Sequence, residues 1–582
     1  MDVQDTAEPG GAVGIVGLGA VGEALLREVA AAGLPVVGVD HDPDVVARVE
    51  QRLKRDAAGG GLVPRAVTTE TAALAGVGIV VEAVPEDPVG KRGVLRLLRR
   101  SCPPGAVLVT TASSLPLLPL ATATGCPERV AGLRLLRPPA AGGRAEVVRT
   151  PLTSGAAAGA VERLMTAVGL ERVALGHGPS TSAARLVHRY LNRAVALVAE
   201  DLTTPGDIDT AMRLGCGLPA GPLELIDELG VDEVHRCLES AWERTGEEAF
   251  RPAPLLTSMR ERGLLGRKTG RGFHRYDRRG RRMDGQLPGG DGRVGGTAAG
   301  GAVRHVGVVG SGTMARGIAE VCAASGLRIT LLARGADRAR DAATAIEASL
   351  VKAVRRGRIT PGQKEDAVAA LTAVDDCSAL SGCDLVVEAV VEDLAVKRDV
   401  FARLGEVCRP GALLATTTSS LSVAACTAPA GRPGEALGLH FFNPAPVMRL
   451  VELVRTPDTA DDAAEAARVF CAGLGKVSVA CPDRAGFLVN RLLFPYLVDA
   501  VRLLDDAGQD AAALDTAVER GFGYPMGPFT LLDAIGLDVS LAILERLHAA
   551  FPEAGCAPPA VLRELVAAGH LGRKAGGGLR GA

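Results

Sequence analysis

One string occurs twice in this 582-residue chain, and the two copies differ at the residue best suited to move a proton. Residues 131–150 read AGLRLLRPPAAGGRAEVVRT and residues 437–456 read LGLHFFNPAPVMRLVELVRT. Glu146 and Glu452 correspond at an offset of 306 residues (452 − 146), and so do Arg134 and His440. Histidine has the side chain whose ordinary pKa lies nearest neutrality, which makes it a natural general base. Arginine stays protonated and cannot accept a proton. A repeat of this length predicts two sets of the same domains, with chemistry expected in the second set alone. A chain this long exceeds a single hydrophobic core and predicts roughly three to four domains.

The repeat extends well beyond that string. Each half opens with an apolar run, a glycine cluster and a helix-like stretch: Val13–Val16 with Gly17, Gly19 and Gly22, then Val306–Val309 with Gly310, Gly312 and Ala315. Here the offset is 293 (310 − 17), whereas from Glu82 and Glu388 to Lys268 and Lys574 it is 306. The 13 extra residues of the second half (306 − 293) fall in a segment that reads as a helical hairpin, Asp337–Arg358 then Pro361–Leu371. Predominantly helical blocks follow from near Ser180 and Asp483, with matching turns GLPAGP (217–222) and GYPMGP (523–528). The expected division is a degenerate Rossmann-like domain over 11–179, a helical domain over 180–276, a flexible Gly- and Arg-rich linker over 277–303, a catalytic Rossmann domain over 304–482 and a helical domain over 483–582.

A GxGxxG cluster between a strand and a helix suits a dinucleotide pyrophosphate, because the backbone comes close and the helix N-terminus offers free N–H groups. Gly17, Gly19, Gly22, Gly310, Gly312 and Ala315 are the candidates for that contact, alanine being an accepted third residue. Asp40 follows the first copy's second strand and would bind a ribose diol. Its counterpart is Ala333, next to Arg334. That exchange would accommodate a 2′-phosphate, or leave Arg334 stacked on adenine or in solvent, so the cofactor is NAD or NADP.

Composition narrows the partners. A net charge of −2 with 47% apolar and 23% charged residues argues for a globular chain and against nucleic acid or a membrane surface. No apolar run approaches the ~18 residues of a membrane span, and the first residues, MDVQDTAEPG, are unlike a secretory signal. Twelve cysteines without CxxC or zinc-type spacing read as reduced thiols of a cytoplasmic enzyme with no metal.

The strings GSGTMARGIAE, VVEAVVEDLAVKRDVF, TTTSSL, HFFNPAPVMRLVELV, DRAGFLVNRLLFPYL and GYPMGPFTLLD resemble the 3-hydroxyacyl-CoA dehydrogenases, including the 3-hydroxybutyryl-CoA enzymes, over about 304–577. The first half is similar to the same family over about 12–276, more weakly in the catalytic strings. The resemblance implies an α/β plus all-α fold: two Rossmann-like NAD-binding domains, each followed by a helical C-terminal domain. It implies His440 as base, Glu452 as its carboxylate partner, Ser419 at the substrate oxygen and Asn490 fixing thioester and base geometry. Asn443, Glu392 and Lys397 would lie along the cofactor, and Ser349 and Arg356 on the hairpin would hold coenzyme A. Thr417, Ala333 and Ala315 depart from the family pattern without removing the base.

The first half keeps Ser113, Glu146, Glu86 and Lys91 but has Arg134, Arg137 and Ala184 where the second has His440, Asn443 and Asn490. It reads as a silent domain that retains a nucleotide pattern, or as one whose two arginines form a new anion site. Family members dimerise through their helical domains, so the tandem chain is expected to build an internal pseudo-dimer. The expected activity is interconversion of 3-hydroxyacyl-CoA and 3-oxoacyl-CoA by hydride transfer. The rivals are a dehydrogenase of carrier-protein-bound thioesters and a non-catalytic nucleotide-binding scaffold.

Overall fold

The computed structural model describes residues 11–58, 64–113, 115–135, 137–139, 143–173, 177–200, 203–278, 280–283, 303–507 and 510–580. The apolar runs that open each half become central strands buried along their length, as strands covered on both faces must be. The first sheet contains β1 (Ala12–Val16), β2 (Val36–Val39), β3 (Ala66–Thr68), β4 (Val77–Glu82), β5 (Val107–Thr110), β6 (Val130–Arg134), β7 (Arg144–Val148) and β8 (Glu171–Arg172). The second contains β9 (His305–Val309), β10 (Arg328–Leu332), β11 (Leu371–Val374), β12 (Leu385–Glu388), β13 (Leu413–Thr416), β14 (Ala436–Phe441), β15 (Leu450–Arg455) and β16 (Val477–Pro482).

Both sheets have the same order, β3-β2-β1-β4-β5-β6-β7-β8 and β11-β10-β9-β12-β13-β14-β15-β16. The chain runs outward from the centre to one edge, then restarts on the other side of the first strand. The crevice at that reversal is where open α/β sheets receive ligands. Pairing is parallel except for β6–β7 and β14–β15, which are antiparallel. Those two ladders carry the repeated string.

The expected hairpin of the second half is a helix Ala336–Arg355 followed by a helix Pro361–Ala369, and Leu371 already belongs to β11. A capping box at Thr360 and Gln363 fixes the start of the second helix. In the first half a single helix, Pro43–Ala58, leads out of the same place. Residues 277–278 and 280–283, expected within the linker, lie in a short antiparallel turn in which Tyr276 pairs with Arg282 and Met283 N–H donates to the Arg275 carbonyl. Residue 279 and the rest of the expected linker, 284–302, lie outside the described residues.

Among the described residues each helical block has five α-helices. They are His177–Ala199, Pro205–Cys216, Pro222–Leu229, Val231–Thr245 and Pro254–Glu261 in the first half. They are Val489–Ala507, Ala511–Phe522, Pro528–Ile535, Leu537–Ala550 and Ala560–Ala567 in the second. The repeated glycine–proline turns have a physical reason. Buried Asp209 accepts from Leu223 N and Glu224 N at 2.8 and 3.0 Å, and buried Asp515 accepts from Phe529 N and Thr530 N, both at 2.9 Å. Each carboxylate thus satisfies orphan donors at the start of the helix that follows the turn.

The two helical blocks share one hydrophobic core that includes Leu191, Val195, Met212, Leu497, Val501 and Val518. Contacts between the halves are reciprocal. A Cβ on Gly217 would stand 3.4 Å from Pro525, and one on its counterpart Gly523 would stand 3.7 Å from Pro219. Helix Pro205–Cys216 packs on β15 and β16, while helix Ala511–Phe522 packs on β7. Tyr190 and Tyr496 meet edge to face, ring centroids 5.7 Å apart, and Arg491 reaches Glu200 at 2.9 Å.

Candidate active site

The register of β14 and β15 places His440 directly opposite Glu452. Opposed side chains of an antiparallel pair share one face, so the backbone ladder alone brings the two groups together. His440 Nδ1 lies 2.6 Å from Glu452 Oε2, with the carboxylate fully buried and the imidazole 8% exposed. A carboxylate can only accept, so Nδ1 carries the proton and the free lone pair sits on Nε2. The other carboxylate oxygen accepts from Leu488 N and Val489 N at 3.1 and 2.8 Å, where helix Val489–Ala507 begins. Phe442 and Phe487 flank the imidazole at 4.7 and 5.6 Å. Phe487 has a φ of 46°, in the left-handed region that a bulky residue enters at a cost. That turn delivers both its ring to His440 and the next N–H groups to Glu452.

The loop after β13 carries Ser419. Glu392 accepts from Thr418 Oγ1 at 2.7 Å, Ser419 N at 3.0 Å and Ser420 N at 3.2 Å, so one carboxylate organises the loop. Burial alone would raise the Glu392 pKa, but Thr418, Lys397 and the Ser419 amide outweigh it and hold it below the usual value. Asn490 Nδ2 donates to the Ser419 carbonyl at 3.3 Å, joining the helical domain to the same loop. Lys397 is 1% exposed and its Nζ lies 2.7 Å from fully buried Glu388, which also accepts from Thr416 Oγ1 at 2.7 Å. Its ammonium is therefore engaged beneath the loop, in an ion pair that ties the following helix to β12.

Gly310 ends β9 with a φ of 130°, and a Cβ there would lie 2.5 Å from the Ala389 carbonyl oxygen. In the first half the turn is tighter: Gly17 has a φ of 88°, and a Cβ on Gly22 would lie 1.7 Å from the Gly17 oxygen. Ala315, buried completely, fits because the second turn is more open. A cavity of 970 Å³ runs past Gly310, Ser311, Gly312, Ala333, Arg334 and Asp375. Its size and glycine cradle fit a dinucleotide. Asp40, in contrast, spends its carboxylate on Leu18 N at 2.7 Å and Asp42 N at 3.0 Å.

Residues 12–177 and again 305–484 match the model of the 3-hydroxyacyl-CoA dehydrogenase NAD-binding domain, and 182–276 and 486–580 match that of its C-terminal domain. The chain belongs to the 3-hydroxyacyl-CoA dehydrogenase family. It is similar to 3-hydroxybutyryl-CoA dehydrogenase of Mycobacterium tuberculosis, 43% identical over 279 residues, which are 48% of this chain and 98% of that protein. Mitochondrial hydroxyacyl-coenzyme A dehydrogenase of Mus musculus is 40% identical over 284 residues, 47% of this chain and 90% of that protein. Among solved structures, (S)-3-hydroxybutyryl-CoA dehydrogenase of Ralstonia eutropha is 33% identical over 48% of this chain and 99% of its own, with a TM-score of 0.47.

Against the family's pattern the first half is informative. Arg134 stands opposite Glu146 in the β6–β7 ladder, Nη1 to Oε2 at 3.0 Å, with the arginine 2% exposed. Burial lowers the guanidinium and Glu146 raises it, but it remains a cation that cannot take a proton. Arg137 forks onto Glu228 at 2.8 and 3.1 Å, linking the first Rossmann domain to its helical block. Both arginines are thus neutralised by glutamates of this dehydrogenase's own first half, which leaves the anion-site reading without support. On the second half's hairpin, Ser349 bonds buried Glu320 and Arg356 is exposed just beyond the helix. Among the described residues no cluster of His, Cys, Asp or Glu could hold a metal, and no helix is long and apolar enough to cross a membrane.

Some site neighbours escaped the sequence. Arg546, on helix Leu537–Ala550, donates to Ser420 Oγ across the interdomain cleft. Asp483 accepts from Val423 N and Ala424 N, both at 2.8 Å, fixing the helix after the Ser419 loop. Gly215 comes from the other half of the chain: a Cβ there would stand 2.8 Å from Leu450, 3.2 Å from Val489 and 3.5 Å from the Phe442 ring. Beside it the Cys216 thiol is pushed up to about 12 by burial, with the Glu452 charge adding to the effect. Gly215→Val should therefore cost about 1–3 kcal/mol of stability by overpacking and lower kcat by displacing Phe442 against His440. Thermal unfolding and steady-state kinetics check this; a normal kcat in the destabilised variant would count against it.

Proposed function

We propose that the second half interconverts a 3-hydroxyacyl-CoA and a 3-oxoacyl-CoA, with His440 as the proton carrier. The observation that carries this reading is the His440–Glu452 pair, whose hydrogen bond leaves Nε2 free as an acceptor. Gly310, Gly312, Ala315 and Arg334 would hold the dinucleotide, and its nicotinamide supplies the hydride acceptor when bound. In the oxidative direction His440 Nε2 removes the hydroxyl proton, and Glu452 stabilises the imidazolium that forms. In the reductive direction the imidazolium returns that proton to the ketone oxygen. Ser419 and Asn490, held together by their 3.3 Å bond, would present a hydroxyl and an amide to the same oxygen. Asn443 would lie along the cofactor and Ser349 and Arg356 along coenzyme A.

The decisive assay follows absorbance of the reduced nicotinamide with acetoacetyl-CoA, then with the same acyl group on a carrier protein. Turnover with CoA is expected; turnover confined to the carrier substrate would favour a biosynthetic thioester dehydrogenase instead.

Cofactor choice turns on Ala333 and Arg334, which line the cavity where the first half has Asp40. We propose that the second half accepts NADPH. Ala333→Asp should lower the NADPH to NADH ratio of kcat/KM roughly tenfold or more, the scale of one charged hydrogen bond of about 1.5–3 kcal/mol. A parent enzyme that already prefers NADH would sink the idea.

The first half is proposed as a silent partner that keeps the dinucleotide fold around Gly17, Gly19, Gly22 and Asp40. The reciprocal contacts of Gly217 with Pro525 and of Gly523 with Pro219 support an internal pseudo-twofold pairing of the halves. A fall in turnover of at least about a hundredfold when His440 alone is replaced would accord with that silence.

A further inference from the structure

Two residues of the paired helices meet their own counterparts. Tyr190 stands against Tyr496, and Arg193 against Asp499, the latter two separated by 306 residues. A residue that meets its own counterpart lies on the pseudo-twofold axis, where a true homodimer would set the same side chain against itself. An edge-to-face tyrosine pair tolerates that arrangement. A buried charge does not.

Asp499 is 1% exposed, and Arg193 Nη1 lies 2.5 Å from its Oδ2. Arg189, one turn earlier and 7% exposed, places Nη1 3.5 Å from Oδ1, whereas the counterpart of Arg189 in the second half is Pro495. Arg502, on the helix of Asp499 itself, stands 3.9 Å away and is more exposed. Pairing the second half with a copy of itself would press two Asp499 carboxylates together in a buried site. Pairing the first half with itself would gather Arg189 and Arg193 from both copies, with Glu247 of each copy pairing Arg189 and no acid in the place of Asp499 facing Arg193. Like charges held together without water are strongly unfavourable. Only the mixed pair puts opposite signs on the axis.

We infer that the two halves recognise each other and reject their own kind, and that Arg193, Arg189 and Asp499 set this choice. The inference rests on the internal pairing of the halves. The partner that fits the second half's helical face is a surface with one cation on the axis and a second one turn away, not a second copy of that half.

The test starts from the full chain with one protease site placed between residues 285 and 300, purified folded and then cut. Native mass spectrometry of the cut protein is expected to find first halves bound to second halves. Separation on cutting would overturn the internal pairing itself. Isotope-labelled and unlabelled cut proteins are then mixed until partners exchange. Exchange only between first and second halves supports the inference, whereas first-with-first and second-with-second pairs at statistical abundance overturn it while leaving the pairing intact. Asp499→Arg should weaken the mixed pair at least a hundredfold, and adding Arg193→Asp should recover part of that loss. Asp499→Asn, which keeps the shape, should admit second-with-second pairs. If Asp499→Arg pairs within threefold of the parent and Asp499→Asn stays exclusively mixed, the axial charges do not choose the partner.

Discussion

His440→Ala should lower kcat by about a hundredfold to ten-thousandfold, the usual worth of a positioned general base. Folding should survive, because the imidazole lies at the edge of the core with its ring between Phe442 and Phe487. The loss should appear in kcat more than in KM, since the proton is transferred in the chemical step. Circular dichroism with steady-state kinetics in both directions checks it, and retained turnover would refute the assignment. Arg134→Ala makes the contrast. Removing that guanidinium leaves Glu146 buried without its counter-ion, so stability should fall by about 3–5 kcal/mol while the second half's kcat stays within about twofold.

Lys397→Met is expected to cost about 3–5 kcal/mol, because Glu388 would remain fully buried beside an apolar group. Two remaining donors, Thr416 Oγ1 and Val390 N at 2.7 Å each, soften the loss without replacing the charge. Lys397 also stands 3.5 Å from Glu392, the carboxylate that organises the Ser419 loop. The variant should therefore lose activity at temperatures where it is still folded. Denaturant unfolding and kcat measured on the same preparation check both parts, and an unchanged midpoint would rule out the ion pair as a stabilising element. The first half has the same arrangement in Lys91 and Glu82 at 2.9 Å. There burial pulls the ammonium down, but Glu82 and Glu86 outweigh it and raise it above its ordinary value.

That pair marks where sequence reasoning reached its limit. Lys397 and Lys91 sit in strings shared by both halves, and the family resemblance implied that Lys397 lies along the cofactor and Lys91 keeps the nucleotide pattern. Their persistence in the half that carries Arg134 has a physical reason, since each fills a buried position with a counter-ion to a buried glutamate. The dyad was legible because His440 and Glu452 sit in a specific string, although the string alone does not say that they are opposed across a ladder. The exchange of His440 for Arg134 was legible as the replacement of a proton acceptor by a cation. Its compatibility with an unbroken fold was not, because that depends on Arg134 giving Glu146 the hydrogen bond that a histidine would give. Arg546, Asp483 and Gly215 were invisible for a different reason: they come from a helix, a bend after β16 and the other half of the chain, all distant in sequence from the loop or the dyad, and no periodicity records such approaches. The helical blocks, expected from near Ser180 and Asp483, have first helices that begin at His177 and Val489.

The antiparallel ladder that opposes His440 and Glu452 has a broader consequence. Because β13 and β16 hold its two outer edges, the spacing of the dyad is a property of the main chain. Side chains at these two positions can be exchanged for any mutually compatible pair without disturbing the frame, as the arginine–glutamate pair of β6 and β7 illustrates. The frame therefore tolerates a change of dyad in a single viable step, and the two ladders of this chain, one with His440 and Glu452 and one with Arg134 and Glu146, are two fillings of the same main-chain slot.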